Sequence, residues 1–238
     1  KYIDQQYLLH YFKSDRMLTL IKEYATGSVR DNLKLSILGE FPIKLRPIDE
    51  QRKIAAILDK IGDLIAKRRQ QLDKLDEMVK ARFVEMFGDP VENPMGWEKI
   101  ALGKRCDIVT GNTPSRAEPE NYGNFIEWIK SDNINTPALL LTEAQEYLSE
   151  KGFHKCRFVE AGSLLMTCIA GSINCIGNVA VTDRRVAFNQ QINAIVPKQD
   201  DVLYLYWLIQ LSKPAIHSTI NMALKGILSK GQLSEMVF

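Results

Sequence analysis

The chain lacks any apolar run of about 18 residues, so it offers no transmembrane helix. Its opening, Lys1-Tyr2-Ile3-Asp4-Gln5-Gln6, lacks the basic-then-apolar shape of a secretory signal. Cysteine and histidine are sparse. Cys106, Cys156, Cys168 and Cys175 make no CxxC pair, and His10, His154 and His217 are scattered. The expectation is reduced thiols in a cytoplasmic protein and no metal site. Net charge is only +2, so any basic surface must be local. Phosphate loops are missing too. Gly171-Ser172-Ile173-Asn174-Cys175-Ile176-Gly177 has the wrong spacing for a dinucleotide loop, and no GxxxxGK[ST] is present. Asn93-Pro94-Met95-Gly96 lacks the second proline and the aromatic with which amino-methyltransferases hold their target amine. Glu127 and Lys130 do not have the acid-then-lysine spacing of a nuclease centre, and no carboxylate pair stands out. These absences predict a chain with no catalytic residues and no cofactor of its own.

What is present is an ordinary globular composition, 45% hydrophobic and 25% charged, over 238 residues, enough for one or two domains. One stretch dominates it. From Pro47-Ile48-Asp49-Glu50-Gln51 to Phe87 there is no internal proline, and Gly88-Asp89-Pro90 is a stop signal. Asp49 is placed to cap the first turn, with Glu50 near the positive end of the dipole. Apolar residues then recur at alternating steps of four and three: Ile54, Leu58, Ile61, Ile65, Leu72, Leu75, Val79 and Met86. That period, near 3.5, is a coiled-coil seam on a helix about 57 Å long. Arg68 and Arg82 fall on the same seam. They either fix the register of an antiparallel pairing, against acids such as Asp73 or Glu77, or snorkel out of it. The expected role is a rod that pairs with another helix, and Gly62 alone does not end it.

Before the rod, Tyr2 to Lys13 reads as a helix with Tyr7, Leu8, Tyr11 and Phe12 on one face. Met17-Leu18-Thr19-Leu20-Ile21 is a second apolar stretch. Thr26-Gly27-Ser28 reads as a loop, Leu33 to Leu38 as a short helix or turn stopped by Gly39, and Phe41 to Leu45 as an edge strand. After the rod, Gly88 to Gly96 is a linker and Trp97 opens a domain. Strands are expected around Asp107-Val109, Phe125-Ile129, Ser163-Thr167, Ile176-Val181 and Ile192-Val196. A last helix over Val202 to Leu211 has Asp200 or Asp201 as its cap and sends Tyr204, Tyr206 and Trp207 to the core. The predicted fold is α+β, a curved mixed sheet attached to a long helix. A weak repeat links the ends. Tyr7 to Phe12 resembles Tyr204 to Ile209 at an offset of 197, which also carries Phe41 onto Phe238.

The whole chain resembles the specificity subunits of type I restriction-modification systems. The resemblance rests on Pro47 to Ala55, Gly96-Trp97 with Gly111-Asn112-Thr113-Pro114-Ser115, Trp128 to Ile134, and Ala161 to Met166 with Ile176 to Ala180. It implies residues 1–46 as the tail of a preceding target-recognition domain, 47–90 as a conserved spacer helix and 91–238 as a complete target-recognition domain. That is half the usual pair of each, so the chain is expected to be a fragment or a half-length subunit that dimerises. The resemblance also implies a non-catalytic reader of one half of a split target in double-stranded DNA. Its helix would dock methyltransferase subunits, and a restriction subunit would join the complex. S-adenosylmethionine and ATP would belong to those partners. A homodimer through residues 50 to 87 follows from the missing second helix. A coiled-coil adaptor whose globular domain binds protein or a small ligand is the other reading.

Candidate DNA contacts follow from side-chain chemistry. Asn112, Thr113, Ser115 and Arg116 lie on a Gly/Pro loop, where hydroxyls and amides bond phosphate and Arg116 pairs with phosphate or guanine. Asn112 and Ser115 serve equally well as turn caps. Lys130, Ser131 and Asn133 follow a strand end, Asn133 suiting adenine, with Asp132 as a structural cap. Arg184 is either a contact or part of a solvated hairpin tip with Arg185, and Lys225 and Lys230 suit phosphate.

Overall fold

The computed structural model describes residues 2–25, 33, 35–220 and 226–238. The chain forms two compact units, Lys1–Glu77 and Met78–Phe238. None of the described helices is long and apolar enough to cross a membrane.

In the first unit, Asp4 caps α1 (Gln5–Phe12) by accepting from the amides of Gln6 and Tyr7, at 3.0 and 3.1 Å. The apolar stretch at Met17 lies in α2 (Asp15–Tyr24), and α3 (Leu35–Gly39) ends at the glycine expected to stop it. The loop expected at Thr26-Gly27-Ser28 lies outside the described residues. Phe41 to Leu45 is not the predicted strand. Its carbonyls are taken by side chains instead: the Tyr11 hydroxyl donates to Pro42 O at 3.0 Å and the Tyr7 hydroxyl to Lys44 O at 2.9 Å.

The rod is α4 (Ile48–Phe87), 40 residues without a break. It starts one residue before the expected cap. The Pro47 carbonyl accepts from Gln51 N, which leaves Asp49 inside the first turn, where its charge still faces the positive end of the dipole. Gln51 is fully buried. Its Oε1 accepts from Asp4 N at 2.8 Å, while its Nε2 donates to Arg46 O at 2.7 Å and Tyr2 O at 3.1 Å. One buried amide thus ties the helix start to the segments before it. Gly62 is harmless because it faces open space, with nothing within 4 Å of where a Cβ would sit. From Ala56 to Arg82 every residue is exposed.

In the second unit the last turn of α4 is anchored. Phe83 is buried, and Phe83 and Phe87 lie 5.5 and 5.1 Å from the Tyr204 ring. The Trp97 indole donates to Phe87 O at 2.9 Å, and Asn93 brackets both backbone polar groups of Trp97. After α5 (Leu102–Arg105) come β1 (Cys106–Thr110), β2 (Tyr122–Ile129), β3 (Tyr147–Leu148), α6 (Glu150–His154), β4 (Phe158–Val159), β5 (Leu164–Thr167), β6 (Val179–Val181), β7 (Val186–Phe188), β8 (Ile192–Pro197), α7 (Val202–Leu211), α8 (Lys213–Ser218) and α9 (Lys230–Glu235).

The expected single mixed sheet is two. One is antiparallel, in the order β1-β8-β5-β6. The other, β3-β2-β7-β4, contains a parallel β2–β7 pair. The reason is visible in β5, which is buried on both faces. Leu164 and Met166 join the cluster against α7, while Leu165 joins Ile129, Val186 and Phe188 between the sheets. Helix α7 has the predicted bounds, and Asp201 is its cap, accepting from Leu203 N and Tyr204 N. Asp200 pairs with Arg105 instead, at 2.8 Å from its Nε. Tyr206 is buried, with Tyr204 and Trp207 half-buried against the same core. The end-to-end repeat extends to element order: an offset of 197 carries α1 onto α7 and α3 onto α9.

Candidate nucleic-acid interface

Strand register decides which loops share an end. Thr110, last in β1, pairs with Asn193 in β8, and Thr167, last in β5, pairs with Ile192. Ile129, last in β2, pairs with Phe188, last in β7. Backbone bonds knit the exits together: Asn112 N donates to Phe188 O, Asn189 N to Ile129 O, and Leu228 N to Cys168 O. The loops after β1, β2, β5 and β7 therefore leave from one end of the sheets, with the segment before α9 beside them. Gly111 is required there. A Cβ would lie 2.2 Å from Asn189 O and 2.5 Å from Phe188 O.

Several predicted contacts sit at this end but are spent on structure. Asn112 Oδ1 accepts from Arg157 N at 2.9 Å and its Nδ2 donates to Lys155 O at 2.8 Å. Asn133 is buried. Its Oδ1 accepts from Lys130 N at 3.1 Å and its Nδ2 donates to Glu143 O at 2.9 Å. It performs the capping expected of Asp132, which is exposed, because its amide can both accept from the turn start and donate across to the next loop. Ser131 is half-buried in that turn, and its carbonyl accepts from Ile134 N and Asn135 N. Thr113 and Ser115 are exposed. Thr113 donates to Gln190 Oε1, and Ser115 O accepts from Asn121 at 3.1 Å.

Arg116 and Lys130 make a more telling arrangement. The Arg116 guanidinium lies 4.4 Å above the Tyr122 ring and 5.3 Å from the Trp128 ring, and Lys130 Nζ lies 5.3 Å from Trp128. Both rings are fixed to the Gly111 loop. The Tyr122 hydroxyl donates to Pro114 O at 2.9 Å and Trp128 Nε1 to Asn112 O at 3.3 Å. One carboxylate, Glu146, bonds both cations, with Arg116 at 2.6 Å. Lys130 first, then Arg116, holds the Glu146 carboxyl below its ordinary range.

Arg184 lies at the opposite end, in the turn between β6 and β7. It forks onto Glu127, with Nη2 at 2.9 Å, and also donates to Asp183, Leu141 O and Thr142 O. The solvated hairpin tip is corrected to an internal clamp: Glu127 is a largely buried carboxylate that requires a partner. Lys230 opens α9 and is exposed, while Lys225 lies outside the described residues. Gln190 and Glu146 are absent from the contacts predicted from sequence. Asn189-Gln190-Gln191, a polar triplet between two apolar strands, was a usable signal for the first, whereas Glu146 carried none.

On α4, Leu58, Ile61, Ile65, Leu72, Leu75, Val79 and Met86 are 38 to 67% exposed as a group with Met78, while Ile54 is half-buried. Ile57, Leu64 and Met78, three residues after Ile54, Ile61 and Leu75, widen the seam to three columns. Arg68 and Arg82 bond within the helix, to Gln71 at 3.0 Å and Glu85 at 2.8 Å.

A family profile described as the type I restriction modification DNA specificity domain matches residues 1–77 and 94–236. The chain belongs to this family. It is 34% identical over 117 residues to the HindI specificity subunit of Haemophilus influenzae, covering 47% of this chain and 24% of that protein. To the MjaVIII specificity subunit of Methanocaldococcus jannaschii it is 23% identical over 229 residues, covering 88% and 52%. Among solved structures, the type I S subunit from M. genitalium aligns with a TM-score of 0.57 at 16% identity, over 99% of this chain and 61% of that one. A chain of a type I R-M system solved for its complex assembly and conformational transition aligns at 0.55 and 17%, over 100% and 59%. Both share the fold of this chain over nearly its whole length. The chain spans about half the length, or less, of the curated relatives it matches.

Proposed function

We propose that this chain reads one half of a bipartite sequence in double-stranded DNA as part of a type I restriction-modification complex in the cytoplasm. The observation that carries the reading is the convergence of four strand-exit loops at one end of the sheets of a specificity-domain family member, with Arg116 and Lys130 raised on aromatic rings there. Guanidinium, ammonium and hydroxyl groups suit phosphate and groove-edge acceptors. The contacts proposed are Ser115, Arg116, Lys130 and Lys230, with Asn112, Thr113, Ser131 and Asn133 shaping the loops that carry them. The chain itself performs no catalysis. Methyltransferase subunits, which hold S-adenosylmethionine, dock on α4, and a restriction subunit that consumes ATP joins through the assembly.

The three-column apolar face of α4 supports a pairing role, and we propose a two-fold homodimer through residues 50 to 87 for the chain alone. Co-purification with a methyltransferase subunit, followed by mapping of methylated adenines, tests the reading. Methylation confined to one split sequence that changes when the loops are exchanged supports it, and methylation indifferent to this chain rejects it.

A further inference from the structure

We propose that Glu146 sets how tightly this chain holds DNA of the wrong sequence, by occupying Arg116 and Lys130 until a phosphate takes its place. The inference rests on the DNA-reading role argued above. Its basis is one carboxylate serving two cations at the loop end. Arg116 is 58% exposed, and Lys130 and Glu146 are each 34% exposed, so a ligand from solvent reaches all three. The cations are held by rings as well as by the carboxylate, so they keep their positions when it leaves. Glu146 is held too: its carbonyl accepts from Trp128 N at 3.0 Å. The neighbouring carboxylates are engaged elsewhere. Glu127 is committed to Arg184, and Glu143 bonds the Tyr147 hydroxyl.

A phosphate and a carboxylate present similar oxygens to a guanidinium, so DNA binding exchanges one for the other. The exchange strands a carboxylate beside a polyanion. Sequence-independent binding gains only phosphate contacts and bears that cost unaided, whereas a correct target adds base contacts. That cost is common to both complexes, so the side chain weakens sequence-independent binding while the ratio between the two is left to the base contacts.

The test is duplex binding by the full chain across a salt series, with a mixed-sequence duplex as probe. Replacing Glu146 by Gln should tighten binding several-fold at fixed salt and leave the slope of log affinity against log salt near its wild-type value, because Arg116 and Lys130 engage the same phosphates in both proteins. On a background carrying Arg116→Ala and Lys130→Ala, the same replacement should leave the affinity unchanged. Glu143→Gln, a nearby carboxylate, should do nothing in either background. An affinity that Glu146→Gln does not raise, or weaker binding accompanied by a lower Tm, overturns the proposal and makes Glu146 a structural brace. Wild-type and variant chains that all fail to bind duplex in a salt-dependent way overturn the DNA reading itself, and this inference with it.

Discussion

Arg116 and Arg184 reach consecutive residues of β2, Trp128 and Glu127, and each meets a glutamate. Arg184 spends its donors on a carboxylate that is only 12% exposed and on two loop carbonyls. Arg116 touches one partly exposed carboxylate and otherwise rests on rings. A side chain whose donors are all engaged internally serves the fold. One held by its flat face keeps its edge donors for a ligand. Residue type does not separate the two roles; the number of committed donors does.

The comparison is broken most forcefully by removing Arg184. Replacement by Met leaves Glu127 largely buried and unpaired, and should cost about 2–3 kcal/mol, measured as a shift in denaturant midpoint. The pH dependence follows from Glu127, whose carboxyl Arg184 holds below its ordinary value. A depressed carboxyl stabilises the fold fully above its unfolded pKa, about 4.3, and loses that contribution as pH falls through the folded value. Wild-type stability should therefore decline below about pH 4 more steeply than that of the Arg184→Met variant.

Arg116→Ala should do the reverse. Exposed pairs contribute about 1 kcal/mol or less, so stability barely moves, while duplex affinity falls and the salt slope flattens by about 0.9. Replacing Ile65 and Leu72 by Asp should leave thermal unfolding of the sheet domain unaltered and halve the mass seen by light scattering. A wild-type chain already monomeric at micromolar concentration removes the homodimer. The smallest expected effect is in thiol labelling. Burial pushes the Cys168 thiol up to about 12 and Cys106 up to about 11, so neither should react in the native protein at neutral pH.

The long helix and the Val202–Leu211 helix were legible because period and capping are local signals. Strands in β5, β6 and β8 were legible because buried β-branched and leucine runs announce themselves. Three things were not. Phe41 to Leu45 alternates like a strand, yet its hydrogen bonds go to tyrosine hydroxyls, which no pattern reveals. The division into two sheets depends on parallel pairing of β2 with β7 across a sequence separation of 59 between Trp128 and Ala187. Asn133 was chosen for its amide, and that amide is consumed by its own turn, a competition between local and external partners that sequence cannot arbitrate.

The indole of Trp97 bonded to the Phe87 carbonyl, with both phenylalanines seated on Tyr204, removes any swivel between the last turn of α4 and the sheets. Torque applied to the final turn passes into the sheets without slack. A spin label at Val84 would consequently tumble with the sheets, and rotation of that turn would carry the four loops round with it.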